Sequence, residues 1–277
     1  TDAGNHKVIA EVDWDSAFTT VHDDAIYLME SQQYHVDKLD LDRKKAYVRR
    51  VDVDYYTDAM TYTNVRVIED FDKKSDRSVI VEHGEVQVAR KVVGYKKIKF
   101  YTSENVGYGD VSLPQKDMHT TSYWFTIPWD LLDFLDLRRE EIIDGLAGLA
   151  YCLHHIAAML VMADIRDLDR CIGDKSGEWF VRYGADRRVI TATPEAPVDV
   201  MENAFDPTVF IFDAYPGGIG FSDLLFARHE ELLAAARSVI GSCPCEHGCP
   251  MCVGPTLEVG PSAKSAALQI LALMDRP

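Results

Sequence analysis

The sequence predicts an α+β protein in two parts. An N-terminal antiparallel, β-rich, barrel-like subdomain is expected over residues 1–110. A mixed α/β domain carrying a four-cysteine knot is expected over residues 111–277. Three observations predict this. Apolar and β-branched residues alternate in short runs through the first half. The apolar period lengthens to helical spacing in the second half. Four of the six cysteines fall between positions 243 and 252.

In the first half, Ala25-Ile-Tyr-Leu-Met, Gln33-Tyr-His-Val, Lys45-Ala-Tyr-Val-Arg and Tyr62-Thr-Asn-Val-Arg-Val-Ile read as strands, broken by turns such as Asp40-Leu-Asp-Arg-Lys. Ser78-Val-Ile-Val-Glu, Glu85-Val-Gln-Val-Ala-Arg-Lys-Val-Val and Lys96-Lys-Ile-Lys-Phe-Tyr continue the series, with Gly84 and Gly94 as expected breaks. Strands at this spacing suggest a small antiparallel barrel or a strongly twisted sheet. Residues 103–120 are polar and contain glycine, and they are expected to be the connector between the two parts.

In the second half, Ser122-Tyr-Trp-Phe-Thr-Ile reads as a strand ended by Pro128, and Trp129 to Leu137 as a short helix. Glu140 to Met162 reads as a long apolar helix, Asp164 to Asp174 as a charged loop, and Glu178-Trp-Phe-Val-Arg as a strand. Thr191 to Asp206 is Pro-rich and expected to be irregular. Thr208-Val-Phe-Ile-Phe-Asp is a continuous apolar run of buried-strand type. A helix over about 221–240 and an amphipathic helix over Ser262 to Met274 flank the cysteines.

The composition is globular: 47% hydrophobic, with 13 Tyr, 11 Phe and 4 Trp, which argues against disorder. No apolar run is expected to reach the length needed to span a bilayer, and the chain opens on Thr1, so it reads as a soluble fragment of a longer protein with no membrane partner. The net charge of −16 rules out a uniformly basic groove of the kind phosphate binding favours. Local basic clusters exist all the same. One is Arg43, Lys44, Lys45, Arg49 and Arg50; the other is Arg90, Lys91, Lys96, Lys97 and Lys99. Cys152 and Cys171 lie far from the cluster, which fits a reducing compartment and one metal site better than a disulfide framework.

Cys243-Pro-Cys-Glu-His-Gly-Cys-Pro-Met-Cys supplies four sulfur ligands, Cys243, Cys245, Cys249 and Cys252, from one short loop. Zinc prefers four tetrahedral thiolate or imidazole ligands. Pro244, Gly248 and Pro250 help the backbone turn round an ion, and Gly248 can adopt left-handed dihedrals. With four protein ligands no position is left for substrate, so the zinc is expected to be structural. Two disulfides, free thiols, an iron–sulfur cluster, or His247 in place of one thiolate are the alternatives.

Asp213-Ala-Tyr-Pro-Gly-Gly-Ile-Gly joins a buried strand to a helix, a geometry that can offer amides to an anion. No Lys-Ser or Lys-Thr follows, so it is not a nucleotide P-loop. It reads either as a tight turn, oriented by Asp213, or as a DNA phosphate contact through Gly217 and Gly218. His154 and His155 lie on the long helix ahead of Asp164, Asp167 and Asp169. They read as a buried, hydrogen-bonded histidine and a solvated loop, or as a metal nuclease site. The nucleic-acid candidates are Arg49, Arg50, Lys91, Lys96, Lys97, Lys99, Gly217 and Gly218. The alternation in Lys96-Lys-Ile-Lys-Phe-Tyr places its charges mostly on one face. Tyr95, Phe100 and Tyr101 are available to stack on bases.

Tyr215-Pro-Gly-Gly-Ile-Gly-Phe-Ser, the helix after it and the cysteine run through Val253-Gly-Pro resemble the zinc-binding C-terminal domain of mitomycin repair factor A-type helicases, which are superfamily-two, DEAD/DEAH-like enzymes. Tyr34-His-Val-Asp-Lys-Leu-Asp-Leu-Asp, Tyr47-Val-Arg-Arg-Val-Asp-Val-Asp-Tyr-Tyr-Thr and Val93-Gly-Tyr-Lys-Lys are similar to the β-rich segment before that domain. The His154 helix and Asp164-Ile-Arg-Asp-Leu are similar to its later parts. The resemblance covers nearly the whole chain. It implies an accessory region of an ATP-driven 3′-to-5′ DNA repair helicase in the bacterial cytoplasm, nucleoid-associated, with the four cysteines as zinc ligands. Its implied partners are the motor domains of the same parent chain and single-stranded or duplex DNA. Many members carry a further Cys-Gly-Asn stretch after the fourth cysteine, where this chain has Thr256-Leu-Glu-Val-Gly-Pro. No Gly-Lys-Thr/Ser motif or Asp-Glu box is present, so the chain alone is expected to be no enzyme: it should neither hydrolyse ATP nor unwind DNA. A protein-interaction scaffold, as in a phage-defence complex, is the alternative function.

Overall fold

The computed structural model describes residues 1–4, 7–182, 189–191 and 206–275. The chain forms two compact units, Thr1–Tyr62 with Arg90–Lys116, and Thr63–Ala89 with Asp117–Pro277. The units do not follow a single cut of the chain, because one long β-hairpin contributes to both.

The first unit opens with helix α1 (Trp14–Thr20) and a three-stranded antiparallel sheet, β1 (Ile26–Met29), β2 (Gln32–Asp40) and β3 (Lys45–Val51), in that order. Val36 and Val48 face each other across β2 and β3, and both are buried with Phe18, Val21, Leu39 and Val92. Removing these side chains from water is worth roughly 1.5–3 kcal/mol each. A register shift between Val36 and Lys38 interrupts the alternation on β2, so that Val36 and Leu39, three residues apart, are both buried.

The next strands are far longer than the sequence suggests. β4 (Tyr55–Asp76) and β5 (Val79–Lys99) run on through Gly84 and Gly94, and the turn between them places Arg77 at φ 53°. The expected breaks at these glycines are corrected by their surroundings. A Cβ on Gly84 would lie 2.0 Å from the Glu69 carbonyl oxygen, and one on Gly94 would lie 2.7 Å from the Gly109 carbonyl oxygen. Glycine marks a close backbone approach here, not a chain reversal. The expected connector over 103–120 is also corrected. It holds β6 (Asn105–Asp110), which pairs antiparallel with β5, and the start of β7 (Lys116–Thr126).

In the second unit, α2 (Trp129–Leu132) and α3 (Arg139–Leu160) follow β7. The expected charged loop over 164–174 is instead a short 3-10 turn, Ile165–Asp167, and strand β8 (Leu168–Gly173), whose Leu168, Cys171 and Ile172 are buried. Next come β9 (Trp179–Val181), β10 (Val189–Thr191) and β11 (Thr208–Asp213). The Pro-rich stretch 192–205 lies outside the described residues. The sheet order is β10-β9-β8-β11-β7-β5-β4. β11 is antiparallel to both neighbours, and all six of its residues are buried. Val209 and Ile211 face the helical core, as the continuous apolar run predicts.

The helix expected over 221–240 is two helices, α4 (Phe221–Ala227) and α5 (His229–Ser242), with Arg228 between them at φ −101° and ψ 22°. After the cysteines come α6 (Thr256–Val259) and α7 (Ala263–Met274). α3 packs against α5, α7 and the sheet. One expectation fails here. By length and composition α3 is apolar enough to cross a membrane, yet most of it is buried inside the protein. A helix surrounded by core on most sides is apolar on most sides. The fold is α+β, with an antiparallel β-rich first unit and a mixed second unit that carries the cysteine knot.

Candidate metal centre and anion-facing surfaces

Helix α5 ends at Ser242, and Cys243 leaves it with extended backbone. The loop then folds back so that the four sulfur atoms converge. Cys243 Sγ is 3.5 Å from Cys245 Sγ and 3.6 Å from Cys249 Sγ; Cys252 Sγ is 3.5 Å from Cys245 Sγ and 3.8 Å from Cys249 Sγ. Four thiolates about 2.3 Å from a central zinc stand roughly 3.8 Å apart, so these residues fit the ion. They are far beyond the roughly 2.05 Å of a disulfide bond, and all six cysteines are free. Among the described residues this is the only cluster of potential metal ligands found. His247 stays outside it, with a side chain 70% exposed beside Glu246.

The backbone is arranged for that convergence. Cys252 N–H donates to the Cys249 carbonyl at 2.9 Å and Gly254 N–H donates to the same oxygen at 3.0 Å, while Gly248 takes φ 119°. Lys264, on α7 and buried, donates from Nζ to the Cys243 carbonyl at 2.7 Å and also to the Cys245 carbonyl. Tyr151 on α3 donates its hydroxyl to the Pro250 carbonyl at 3.2 Å. Burial pushes the Cys252 thiol up to about 12, so a thiolate there calls for a cation beside it. Four thiolates and one divalent ion leave a net negative charge, which the Lys264 ammonium offsets. Sequence reading missed Lys264. The available signal was a lone lysine in the otherwise apolar or small run Ala263-Lys-Ser-Ala-Ala.

The glycine loop has a different occupant from the one a phosphate site needs. The Asp213 carboxylate, fully buried, accepts from Ile219 N–H at 2.6 Å, Gly220 N–H at 3.0 Å and Phe221 N–H at 3.4 Å. Thr121 Oγ1 donates to the same oxygen at 3.1 Å. The amides of Gly217 and Gly218 donate to the carbonyls of His119 and Tyr215. The loop amides from 217 to 221 are thus committed within the protein, which corrects the expectation of a phosphate held by Gly217 and Gly218 amides. Asp213 caps and orients the turn.

The histidine helix is equally committed. His154 Nε2–H donates to the Leu168 carbonyl at 2.9 Å and the Ile165 carbonyl at 3.0 Å, and Arg170 donates to Nδ1 at 3.0 Å. Burial, and then the Arg170 charge, hold the imidazole below its ordinary range and therefore neutral. Asp164 is paired with Arg166, whose hydrogen bonds hold its carboxyl down to about 2. Asp167 accepts from Tyr215, and Arg170 pairs with Glu258 at 2.6 Å. These groups form a structural network, and none of them converges on an ion site.

A contact between Tyr123, His229 and Asp76 was not foreseen from the sequence. Tyr123 Oη and His229 Nδ1 are 2.5 Å apart, and His229 Nε2 lies 3.3 Å from Asp76 Oδ2. His229 Nε2 faces that carboxylate without closing a hydrogen bond to it.

The six basic candidates all fall in the first unit. Arg49 and Arg50 are exposed on β3, and Arg49 pairs with Asp37 at 2.8 Å, which lowers the Asp37 carboxyl. On β5, Lys91 is exposed and Lys96, Lys97 and Lys99 are half-buried. A register shift between Lys97 and Ile98 breaks the strict alternation expected of this run. Lys97 Nζ lies over the Tyr55 ring at 5.4 Å.

Comparison with known proteins points to a zinc-binding domain over residues that include the cluster. Residues 149–253 match the family model of the MrfA Zn-binding domain. The chain is 37% identical over 275 residues to the ATP-dependent helicase YprA of Bacillus subtilis, covering 99% of this chain and 33% of the relative. It is 21% identical over 255 residues to the ATP-dependent helicase HRQ1 of Saccharomyces cerevisiae, covering 90% of this chain and 22% of that one. Among solved structures, the DUF1998 helicase MrfA bound to DNA superposes with a TM-score of 0.61 at 35% identity, covering 94% of this chain and 31% of that one. The chain therefore spans about a third or less of the length of these three proteins.

Proposed function

We propose that this chain, whose residues 149–253 match the MrfA Zn-binding domain, is the non-motor C-terminal region of an ATP-dependent 3′-to-5′ DNA repair helicase. It supports the motor domains of the same parent chain and lines part of the DNA strand path. A β-rich subdomain and a zinc-binding domain are its functional parts, working in the cytoplasm and associated with the nucleoid. The observation that carries this reading is the four-sulfur cluster of Cys243, Cys245, Cys249 and Cys252. A zinc ion held there would have no open ligand position, and it would supply folding free energy by fixing the end of α5 against α7. The residues of this chain contribute binding surface, not chemistry.

A specific observation favours a second reading, the interaction scaffold. Met159, Met162, Met251 and Leu257 are 69%, 93%, 82% and 80% exposed in the zinc-bearing unit, and exposed apolar groups suit a protein partner. Two measurements test the pair. Purified protein should contain zinc, and Cys249→Ser should lose it and become protease-sensitive; a variant that keeps the wild-type melting temperature would sink the structural-zinc reading. DNA affinity that falls steeply with salt supports the helicase region. Salt-independent association with another protein, without DNA affinity, supports the scaffold.

A further inference from the structure

The three aromatic residues around the lysine-rich end of β5 have different fates. Tyr95 is only 4% exposed, and its ring stacks on His22 with centroids 5.1 Å apart. Phe100 is half-buried and packs on Tyr56 at 5.5 Å. Tyr101, at the tip between β5 and β6, is fully exposed.

The tip is built and not frayed. Lys99 N–H donates to the Glu104 carbonyl at 2.9 Å, Ser103 N–H to the Lys99 carbonyl at 3.1 Å and Thr102 N–H to the Phe100 carbonyl at 2.8 Å. Tyr101 is held there at φ 68°, a left-handed conformation that disfavours a bulky side chain. Such strain persists where the surrounding structure fixes it, and it concentrates at functional sites. The arms carry matching chemistry. Lys96 stands opposite Tyr108, which is 64% exposed, and Lys99 closes the β5 arm.

We propose that the β5–β6 hairpin is a contact for single-stranded DNA, in which Tyr101 stacks on an unpaired base while Lys96 and Lys99 meet the flanking phosphates. The proposal rests on the DNA-helicase reading above and deepens it. A base offers its π-face to a side chain only when it is unstacked and unpaired, which selects a single strand over a duplex. The local charge balance is modest, because Glu104 and Asp110 end the same arms. On a chain of net charge −16, stacking gives an attraction that does not depend on a basic groove.

The test is fluorescence anisotropy of a short labelled oligothymidylate, titrated with the full 277-residue chain at low salt, with a blunt duplex of the same length in parallel. Tyr101→Ala should weaken single-strand binding about tenfold, leave duplex binding and the salt slope unchanged, and melt no lower than wild type. Tyr101→Phe should keep wild-type affinity. Lys99→Gln should reduce the salt slope by about 0.7. If Tyr101→Ala binds the single strand as tightly as wild type, the stacking role is overturned while the DNA reading stands. If the wild-type chain binds neither oligonucleotide, the DNA reading falls and this inference falls with it.

Discussion

The Asp213 carboxylate accepts the backbone N–H of Ile219 at 2.6 Å, from the end of a buried strand to the start of helix α4. One oxygen also takes Gly220 N–H, Phe221 N–H and the Thr121 hydroxyl, so a single internal anion fills the place a phosphate would take. Asp213→Ala should therefore cost about 3 kcal/mol by urea unfolding, since hydrogen bonds to a buried charge are the costly ones to lose. It should also open an anion site. Millimolar phosphate or sulfate is expected to raise the melting temperature of the variant and leave wild type unchanged; equal responses of the two proteins would contradict this account of the loop.

Lys264 ties helix α7 to the metal loop through the Cys243 and Cys245 carbonyls. Lys264→Met keeps the apolar stem and removes the ammonium. The zinc thiolates are then expected to lose charge compensation and the loop its two bonds, at a cost of about 2 kcal/mol. Zinc transfer to a chromophoric chelator should be faster than in wild type by tenfold or more, the size typical of outer-shell changes at metal sites. An unchanged transfer rate would remove Lys264 from the account of the site.

His229 gives a pH dependence with a defined sign. Burial pushes its imidazole down to about 4, against the opposing influence of Asp76. The unfolded chain binds the proton near pH 6.5. Between those values the unfolded state carries the extra proton, so stability contributed by this group is full above about pH 6.5 and is lost as pH falls toward 4. The loss should be about 2 kcal/mol between pH 7.5 and pH 5. Comparing urea unfolding of wild type and His229→Gln at the two pH values checks it. The variant should be less stable at both, but should change with pH by about that much less.

The cluster of four sulfur atoms was legible because it is local. Cys243, Cys245, Cys249 and Cys252 lie on one loop, so spacing alone brings their sulfur atoms within reach of one ion. The β11 strand was legible because all six of its residues are buried, and burial on both faces erases alternation. The long strands β4 and β5 were not, because Gly84 looks like a break until the Glu69 carbonyl is placed 2.0 Å from where its Cβ would sit. β8 was hidden by its charges: Asp169 and Arg170 gave a loop-like pattern, although Arg170 donates to His154 and Glu258 from elsewhere in the chain.

By itself, then, the sequence determined the α+β class, the buried strand, the core helix and the cysteine knot, since each depends on residues close together or on a period along one element. Only the tertiary structure decided which polar groups were already spent. Asp213 fills its own loop, Arg170 and two carbonyls occupy His154, and Lys264 reaches the metal loop from a helix some twenty residues away. It also separated Tyr101 from Tyr95 and Phe100, three rings alike in sequence context and unlike in exposure. A side chain is free to act on a ligand only if no distant partner claims it. That is a property of packing between elements, which no spacing along the chain can specify.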